Sequence, residues 1–521
     1  MVERAPGNIS EDAVQHVHLS LSSSGRMKVA WSMPKSGGKA THGGLIGSKP
    51  VVRYAPFGEK LGKSSAVMNA QSVLDWRGRW WNEAELERLR QGETYLYQCS
   101  SDIGGGQTLG RVRQMRAWSP NTSSDGTAEG KRRPLRIAIV GDLAEGRSGE
   151  EVVARIRAGP TTDAVLHLGD AAGNLTDENF QKGDRFLHMI EPVASAVPYM
   201  ALLGDRDDLS VFRRFFHMPE SNGNPWYTFN AGAARIVALW TESLVSLPGS
   251  DWNAQKAGWA KQQLLWLDRV LEHFDSAAER RLRPWVVVAG HRPVYCSVDP
   301  QRCGNEAKQL RAVLEPIFIR HHVDLYLSAH VHAYERTMPV QSNRLCRGSS
   351  TGDGQYFKQP CAPIFVVNGD AGTPALQYDT LPAPWTAHRQ PGMLSYGELN
   401  IHNRTHLQYR QVQASSARVS DEFWLIKILG NGQTAVELEE DFLEAASWLA
   451  FATAIMMMTV FFIRWVHGDG LKRREEAHRN LQSEVAVLSG LPPRPLGAST
   501  AQESEQLVQL DQAGKSTDGL H

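Results

Sequence analysis

The sequence shows no excess of charge of either sign. It contains 56 Lys and Arg against 56 Asp and Glu, for a formal net charge of +0. This balance excludes a chain that is strongly basic overall, as many nucleic-acid-binding proteins are, and one that is strongly acidic overall. The charged fraction of 21% and the apolar fraction of 41% are ordinary for a globular protein and exclude disorder of the whole chain. Because 521 residues exceed one compact core, we expect about two to four folded units.

Cysteine is scarce, and no two cysteines form a C-x-x-C pair. This excludes a zinc knuckle and a thioredoxin-type redox site. The five cysteines are Cys99, Cys296, Cys303, Cys346 and Cys361. In an oxidising compartment we expect the local pairs Cys296–Cys303 and Cys346–Cys361, which leave Cys99 as the odd cysteine. This connectivity is a hypothesis, because spacing alone does not determine pairing.

One long uncharged run interrupts this ordinary composition. Residues 445–463 form a stretch of 19 residues without charge. As a helix it spans ~28 Å, close to the hydrocarbon thickness of a bilayer, whereas the alternative, a buried core helix, rarely runs so long without a polar face. Acidic residues precede the run and basic residues follow it, which predicts a single-pass type I membrane protein. The preceding domains would be extracellular or lumenal, and residues 464–521 a disordered cytoplasmic tail.

Sequence motifs for N-linked glycans agree with this orientation. They lie before the uncharged run and none lies after it, at Asn8, Asn121, Asn174 and Asn403. The chain nevertheless opens without the apolar stretch of a signal peptide. We therefore expect the true N-terminus to lie upstream of Met1, and the alternative is a domain that stays in the cytosol. Glycosylation analysis of the expressed protein separates the two.

The hydrophobic pattern divides the region before the run into two domains. Residues 11–118 show short alternating stretches separated by Gly, Ser and Pro, which predict a small all-β sandwich. Residues 119–133 form a polar linker. From 134 to 432, apolar strands alternate with helical patterns, which predicts an α/β domain with a layered αββα arrangement.

In the α/β region, chemically active residues directly follow the predicted strands. Five strands end in this way, at Asp142, Asp170, Asp205, His291, and the pair His330 and His332. A single aspartate there is more often a helix cap, and a single buried histidine is more often a hydrogen-bonded core residue. Six such residues together predict a metal site, because ligands bind at the carboxyl edge of α/β sheets.

Five stretches of this region carry a family resemblance. They read LHLGD, GDRFLHMIEPVASAVPYM, GHRPVYCS, VDLYLSAHVHAYER and NGDAGTPA. The chain thereby resembles the purple acid phosphatases, and most of all their animal members, within the calcineurin-like metallophosphoesterases. The resemblance implies a fibronectin type III-like domain over residues 11–118 and a metallophosphoesterase αββα sandwich over residues 134–432.

The resemblance also implies a binuclear centre of iron(III) with divalent iron, zinc or manganese. Asp170 matches the carboxylate that bridges the two metals. Asp142 and His332 match ligands of the ferric site, and His291 and His330 match ligands of the divalent site. The implied reaction is in-line attack of a metal-bound hydroxide on a phosphate monoester.

Three of the metal and catalytic positions depart from the family pattern, besides Ala144 and Ala329, which replace glycines of two motifs. Gly173 stands where the family has a tyrosine ligand, Asp205 where it has an asparagine ligand, and Arg206 where it has a histidine that contacts substrate. One negative ligand has thus moved from the ferric to the divalent site, so we expect weaker iron(III) binding and no tyrosinate–iron colour. The divalent site, with Asp205 as a ligand, suits zinc or manganese.

Arg206 and His291 are the expected catalytic residues. An arginine at 206 can bind phosphate, but it cannot donate a proton near neutral pH, and loss of general acid help costs about 10²–10⁴ in rate. We therefore expect an acid phosphatase with altered or reduced activity. The alternative is an inactive surface protein of the same fold with a binding or scaffold role. A phosphodiesterase or protein phosphatase is disfavoured, because no histidine lies two residues after Asp142.

Overall fold

The structure is a computed structural model whose described residues are 14–22, 25–33, 50–62, 64–75, 77–103, 106–119, 133–219, 225–246, 254–299, 302–346, 354–372, 380–390, 392–428, 476, 479 and 480. Contacts divide the chain into Met1–Ala435 and Val436–His521. All helices and strands named below lie in the first unit.

The N-terminal part of this unit consists of strands. They are β1 (Gln15–Leu21), β2 (Met27–Met33), β3 (Val51–Pro56), β4 (Ala66–Asn69), β5 (Gln71–Leu74), β6 (Trp80–Glu85), β7 (Thr94–Ile103), β8 (Gly106–Leu109) and β9 (Arg113–Arg116). One sheet has the order β1-β2-β6-β5, and the other has the order β4-β3-β7-β8 with β9 also paired to β7. Leu19 and Trp31 of the first sheet share an apolar core with Val52 and Tyr97 of the second. The β-rich character agrees with the sequence, and the likeness to a fibronectin type III domain stays a prediction.

The following part alternates strands with helices. Its first half contains β10 (Leu135–Val140), α1 (Arg147–Ala158), β11 (Ala164–His167), α2 (Gln181–Ala194), β12 (Tyr199–Ala201), α3 (Leu209–Phe215), β13 (Tyr227–Ala231) and β14 (Ala234–Ala238). Next come α4 (Ala254–Phe274), α5 (Ala277–Leu282), β15 (Trp285–Ala289), α6 (Ala307–Arg320), β16 (Leu325–Ser328), β17 (Tyr334–Thr337), β18 (Val340–Gln341) and β19 (Arg344–Leu345). The last strands are β20 (Tyr356–Lys358), β21 (Ile364–Asn368), β22 (Thr386–Gln390), β23 (Ser395–Ile401), β24 (His406–Gln413) and β25 (Val419–Ile426).

All of these strands except β18 and β19, which pair with each other, form two large sheets that pack against each other. Their orders are β12-β11-β10-β23-β24-β25-β20 and β13-β14-β15-β16-β21-β17-β22. In β10, Ile137 and Ile139 belong to the core between the sheets, whereas Val140 packs with α1 and α2. In β15, Val287 lies between the sheets and Val286 packs with α4 and α6. Strands buried on both faces thus place helices outside each sheet, which confirms the predicted αββα layers.

The cysteines pair as the sequence suggests. Cys296 is bonded to Cys303 and Cys346 to Cys361, with Cα–Cα distances of 5.1 and 6.0 Å. Cys99 is a buried free thiol on β7, and burial raises its pKa to about 12. The predicted local pairs are therefore confirmed.

No helix in the described part of the chain is long and apolar enough to cross a membrane. The predicted span at residues 445–463 lies outside the described residues, as do Asn8 and Asn121. Asn174 and Asn403 are described, and each side-chain oxygen accepts a hydrogen bond from the threonine two residues on, at 2.7 and 2.8 Å. The membrane span and the glycans both stay predictions.

Histidines lie where the N-terminal strands contact the α/β layers. His16 on β1 is buried, with its Nε2 3.0 Å from Nδ1 of His188 on α2. His217 follows α3, and its Nε2 lies 3.3 Å from Glu83 on β6. Among the described residues, Nδ1 of His217 is buried without a hydrogen-bond partner. A charged imidazole at this position would therefore lack the solvation that it has in water.

We predict that acid weakens the fold through His217. Burial lowers the pKa of His217 to about 4 from 6.5; Glu83 opposes this shift, and His18, Lys28 and Arg214 reinforce it. The stability gained from the neutral imidazole is present above pH 6.5 and is lost as the pH falls towards 4. We expect the free energy of unfolding of the parent, measured with denaturant, to fall between pH 6.5 and pH 4. In His217→Gln this fall should be smaller by about 1–3 kcal/mol.

The control is His273→Gln, which changes an exposed histidine of α4. It should keep the pH dependence of the parent. A parent-like pH dependence in His217→Gln would contradict the assignment.

Candidate metal centre

The site forms at the edge where the two sheets meet. The aspartates come from the first sheet, since Asp142 follows β10, Asp170 follows β11 and Asp205 lies beyond the end of β12. The histidines come from the second sheet, where His291 follows β15 and His330 and His332 follow β16. Because β10, β11 and β12 are parallel neighbours, their carboxyl ends share one edge. The first sheet thus supplies the carboxylates of the site, and the second sheet supplies the imidazoles.

Asp205, His291 and His330 form one group of candidate ligands. Their ligand atoms all lie within 4.8 Å of one another. Oδ1 of Asp205 is 2.9 Å from Nε2 of His291 and 3.0 Å from Nδ1 of His330. Oδ1 of Asp170 is 3.5 Å from the same Nε2 of His291, so Asp170 adds a fourth donor beside this group.

Asp142, Asp170 and His291 form a second group, also within 4.8 Å. Oδ1 of Asp142 is 3.5 Å from Nε2 of His332, and its Oδ2 accepts a 2.7 Å hydrogen bond from the backbone N–H of His330. All six residues predicted from the sequence therefore come together. Asp170 belongs beside both groups, which is the position expected of a bridging carboxylate.

The orientation of His291 follows from its backbone contact. Its Nδ1 lies 2.8 Å from the carbonyl oxygen of Leu168. A carbonyl oxygen only accepts, so Nδ1 donates and Nε2 is left facing the carboxylates. His291 is fully buried, which fixes the ring further.

The pKa shifts of the clustered residues indicate that positive charge stabilises the candidate ligands. Burial would lower the pKa of His291, but Asp170, Asp205 and Asp142 hold it well above its usual value. Burial, together with the neighbouring Asp142 and Asp205 and against the opposing effect of His291, raises the pKa of Asp170 to about 8. Burial opposes ionisation of Asp205, yet hydrogen bonds from His291 and His330 lower its pKa. A cation among these donors supplies the same charge and displaces protons, so the carboxylate and imidazole set fits a binuclear metallophosphoesterase centre.

Two of the departures from the family pattern, Gly173 and Arg206, lie beside each other at one side of this centre. The backbone N–H of Arg206 donates to Oδ1 of Asp170 at 3.0 Å, and its guanidinium, half exposed, has Nε 3.8 Å from Oδ2 of Asp170. Gly173 has φ +76°, and a Cβ built on it would lie 3.7 Å from both Nη1 of Arg206 and Nζ of Lys182. Two cationic groups thus border the position from which a tyrosine would project.

Several residues of the site were not predicted. The carboxylate of Asp207 accepts hydrogen bonds from the backbone N–H groups of Asp170 and Gly204 at 2.9 and 2.8 Å, and it thereby holds the two ligand loops together. The sequence does contain a signal for Asp207, because this residue is the acidic fourth position of the motif G-D-R-D. Arg292 and Glu306 contact His330, but nothing near Glu306 in the sequence marks it.

Asp370 lies behind the centre in the stretch NGDAGTPA. Burial raises its pKa to about 7, while Ser395 donates a hydrogen bond to its Oδ2. The side chain of Gln411 joins Ser395 to Oδ1 of Asn368, and Asn368 in turn donates to the carbonyl of Ile139 on β10. This polar network ties β21 and β24 to the strand that delivers Asp142.

Comparisons with known proteins agree with this geometry. The family model for calcineurin-like phosphoesterases matches residues 135–334, and that for the iron/zinc purple acid phosphatase-like protein C matches residues 362–422. The chain is 30% identical over 441 residues to acid phosphatase type 7 of Homo sapiens, covering 80% of this chain and 92% of the relative. It is 22% identical over 445 residues to purple acid phosphatase 18 of Arabidopsis thaliana, covering 81% and 87%. A purple acid phosphatase from yellow lupin seeds shares the fold, with a TM-score of 0.65 and 19% identity over 80% of this chain and 75% of that one. This chain therefore belongs to the purple acid phosphatase family of the calcineurin-like phosphoesterases.

Proposed function

We propose that the protein hydrolyses phosphate monoesters with a metal centre of altered composition. The observation that carries this proposal is the convergence of Asp170, Asp205, His291 and His330 on one point. The names of the relatives, acid phosphatase type 7 and purple acid phosphatase, support the reaction class. When bound, metals supply acidified water and neutralise charge on the transferring phosphoryl group.

The two halves of the centre differ in their donors. Asp170, Asp205, His291 and His330 offer two carboxylates and two imidazoles, a set that suits zinc or manganese. Asp142, Asp170 and His332 offer three donors to the other half, where Gly173 provides no phenolate. We infer that iron(III) binds this half weakly and that activity is reduced.

The cations beside Gly173 give the substrate phosphate a place to bind. Arg206 and Lys182 both reach this position, and a guanidinium binds phosphate oxygens well. His291, whose Nδ1 bonds the carbonyl of Leu168, orients its Nε2 towards the carboxylates of Asp205 and Asp170. The guanidinium of Arg206 provides no proton for a departing alkoxide, so residue 206 leaves the leaving group to depart with its charge.

The N-terminal domains are proposed to lie outside the cytosol, anchored by a helix at residues 445–463 and carrying N-linked glycans. Two disulfides in the α/β part support an oxidising compartment. The N-terminal strands are proposed to form a fibronectin type III-like domain.

An inactive binding protein is the second candidate function. The observation that favours it is the combined loss of the tyrosine at 173 and the histidine at 206. Such a protein would retain the fold and the cleft but would not turn over a monoester.

The first test compares the parent with Asp170→Ala. The full-length chain is assayed for bound zinc, manganese and iron and for hydrolysis of p-nitrophenyl phosphate from acidic to neutral pH. We expect zinc or manganese in the parent and a loss of about 10³-fold in kcat/KM in the variant, because metal catalysis contributes several kcal/mol. A parent without metal, and without a rate above that of Asp170→Ala, would establish the inactive alternative.

The second test uses leaving groups. Since Arg206 cannot donate a proton, the parent should hydrolyse p-nitrophenyl phosphate much faster than a simple alkyl phosphate. Arg206→His should raise kcat/KM for the alkyl phosphate relative to the aryl phosphate by about 10–10². Arg213→His, at an exposed position of α3, is the control and should leave this ratio unchanged. An unaltered ratio in Arg206→His would refute the role of residue 206.

The third test concerns the space around the bridging carboxylate. A Cβ built on Gly204 would lie 2.1 Å from Oδ1 of Asp170 and 2.5 Å from its backbone nitrogen. Gly204→Ala should therefore displace Asp170 and lower zinc affinity by at least about tenfold, as measured by competition with a chelator. Gly258→Ala in α4, where a Cβ would meet nothing within 4 Å, should keep the affinity and gain up to about 1 kcal/mol of stability. Equal zinc affinity in both variants would contradict this account.

A further inference from the structure

His330 is held by carboxylates on both of its ring nitrogens. Nδ1 lies 3.0 Å from Oδ1 of Asp205 on the inner side, and Nε2 lies 3.0 Å from Oε2 of Glu306 on the outer side. Nη1 of Arg292 also lies 3.0 Å from Nε2 of His330, and the same Nη1 donates to Oε2 of Glu306. An ionised carboxylate only accepts, so Nε2 of His330 and Nη1 of Arg292 both donate to Glu306. The hydrogen bond from Nε2 to Glu306 would keep the lone pair of Nδ1 directed towards the ligand cluster when a cation binds there.

Arg292 connects this outer carboxylate to Asp205. Its guanidinium pairs with Glu306 and with Glu242, and its Nη2 lies 3.5 Å from Oδ2 of Asp205. The side chain is buried, with 7% exposed. A guanidinium keeps its proton in proteins, so Arg292 stays charged beside the ligands.

The backbone of Arg292 is fixed as firmly as its side chain. Its N–H donates to Oγ1 of Thr241 at 3.0 Å, and its carbonyl accepts from the hydroxyl of Tyr326 at 2.7 Å. It directly follows the ligand His291, so the same turn places a ligand and a cation. Glu306 ends a π-helical turn, Arg302–Glu306, immediately before α6. Ligand loop, helix start and guanidinium are thus joined through one buried ion-pair network.

In this chain the ion-pair network also acts on Asp205. Asp205 carries a negative charge at a position where the family pattern has a neutral asparagine, and Arg292 lies against the oxygen of Asp205 that faces away from the histidines. The guanidinium offsets the added charge and restricts the rotation of the carboxylate. Oδ1 of Asp205 is thereby left to face His291 and His330.

We propose that Glu306 and Arg292 are positioning residues of the metal site formed by Asp170, Asp205, His291 and His330. Glu306 sets the tautomer and orientation of His330, and Arg292 sets the orientation of Asp205. The proposal rests on the proposed function in one respect, namely that this cluster binds a divalent metal.

The test is the zinc affinity of the metal-free full-length protein, measured by competition with a chelator in the absence of substrate. Glu306→Ala should weaken zinc binding by about 10–100-fold, the usual effect of removing a hydrogen-bond partner of a ligand. Glu306→Gln keeps an acceptor oxygen for Nε2–H of His330 and should recover most of this loss. Recovery by the conservative variant separates positioning of the ligand from a merely structural role.

The matched control is Glu315→Gln, which changes a buried glutamate on α6. Glu315 accepts hydrogen bonds from the hydroxyl of Tyr295 at 2.6 Å and from the backbone N–H of Ser342 at 3.0 Å, away from the ligands. It should keep the parent zinc affinity. The proposal is overturned if Glu306→Ala binds zinc like the parent, if Glu306→Gln is as weak as Glu306→Ala, or if the control weakens binding equally.

Thermal unfolding without metal shows whether each variant folds. If Glu306→Ala does not fold, Arg292→Lys replaces it, because lysine keeps the charge but loses the forked contacts. Arg292→Lys should then weaken zinc binding by about tenfold, and unchanged affinity would overturn the proposal. A parent that binds zinc but hydrolyses no monoester would refute the proposed function and leave this inference intact, whereas a parent that binds no divalent metal would refute both.

Discussion

The repulsion among three neighbouring carboxylates is the constraint on which this site depends. Asp142, Asp170 and Asp205 leave parallel strands of one sheet and therefore reach the same edge. Without positive charge between them, burial would drive one of them to take up a proton, and the raised pKa of Asp170 records that tendency. The second sheet supplies imidazoles at the same edge, so the attraction between the two ligand types acts across the αββα sandwich.

The altered residues redistribute charge instead of removing it. A negative ligand is absent at Gly173 and present at Asp205, so the number of anionic ligands implied by the family pattern is preserved. Arg206 and Lys182 border the first position, and Arg292 lies against the second. The added negative charge of Asp205 is thus offset by the buried guanidinium of Arg292, as the low dielectric of a buried site favours. The centre is chemically coherent, although it differs from the pattern of its family.

Much of the fold and of the ligand set could be predicted from the sequence. The order of strand-ending residues Asp142, Asp170, Asp205, His291 and His330 identified the centre, because parallel strands of an α/β sheet deliver their ends to one edge. The cysteine pairs were predictable because each closes a short local loop. Glu306 and Lys182 were not predictable, since they act through side chains that meet residues far away in the chain.

The sequence by itself determined the order of the candidate ligands, the apolar strands that build two buried sheets, and the departures from the family pattern at residues 173, 205 and 206. These are local properties, because each depends on residue type and spacing along one strand or loop. The tertiary structure alone decided which sheet contributes which ligand and how Glu306 and Arg292 enclose His330. It also decided that Asp207 joins the loops of Asp170 and Gly204. These features depend on distances between residues that the chain separates widely, and only the packing of the layers brings them within hydrogen-bond reach.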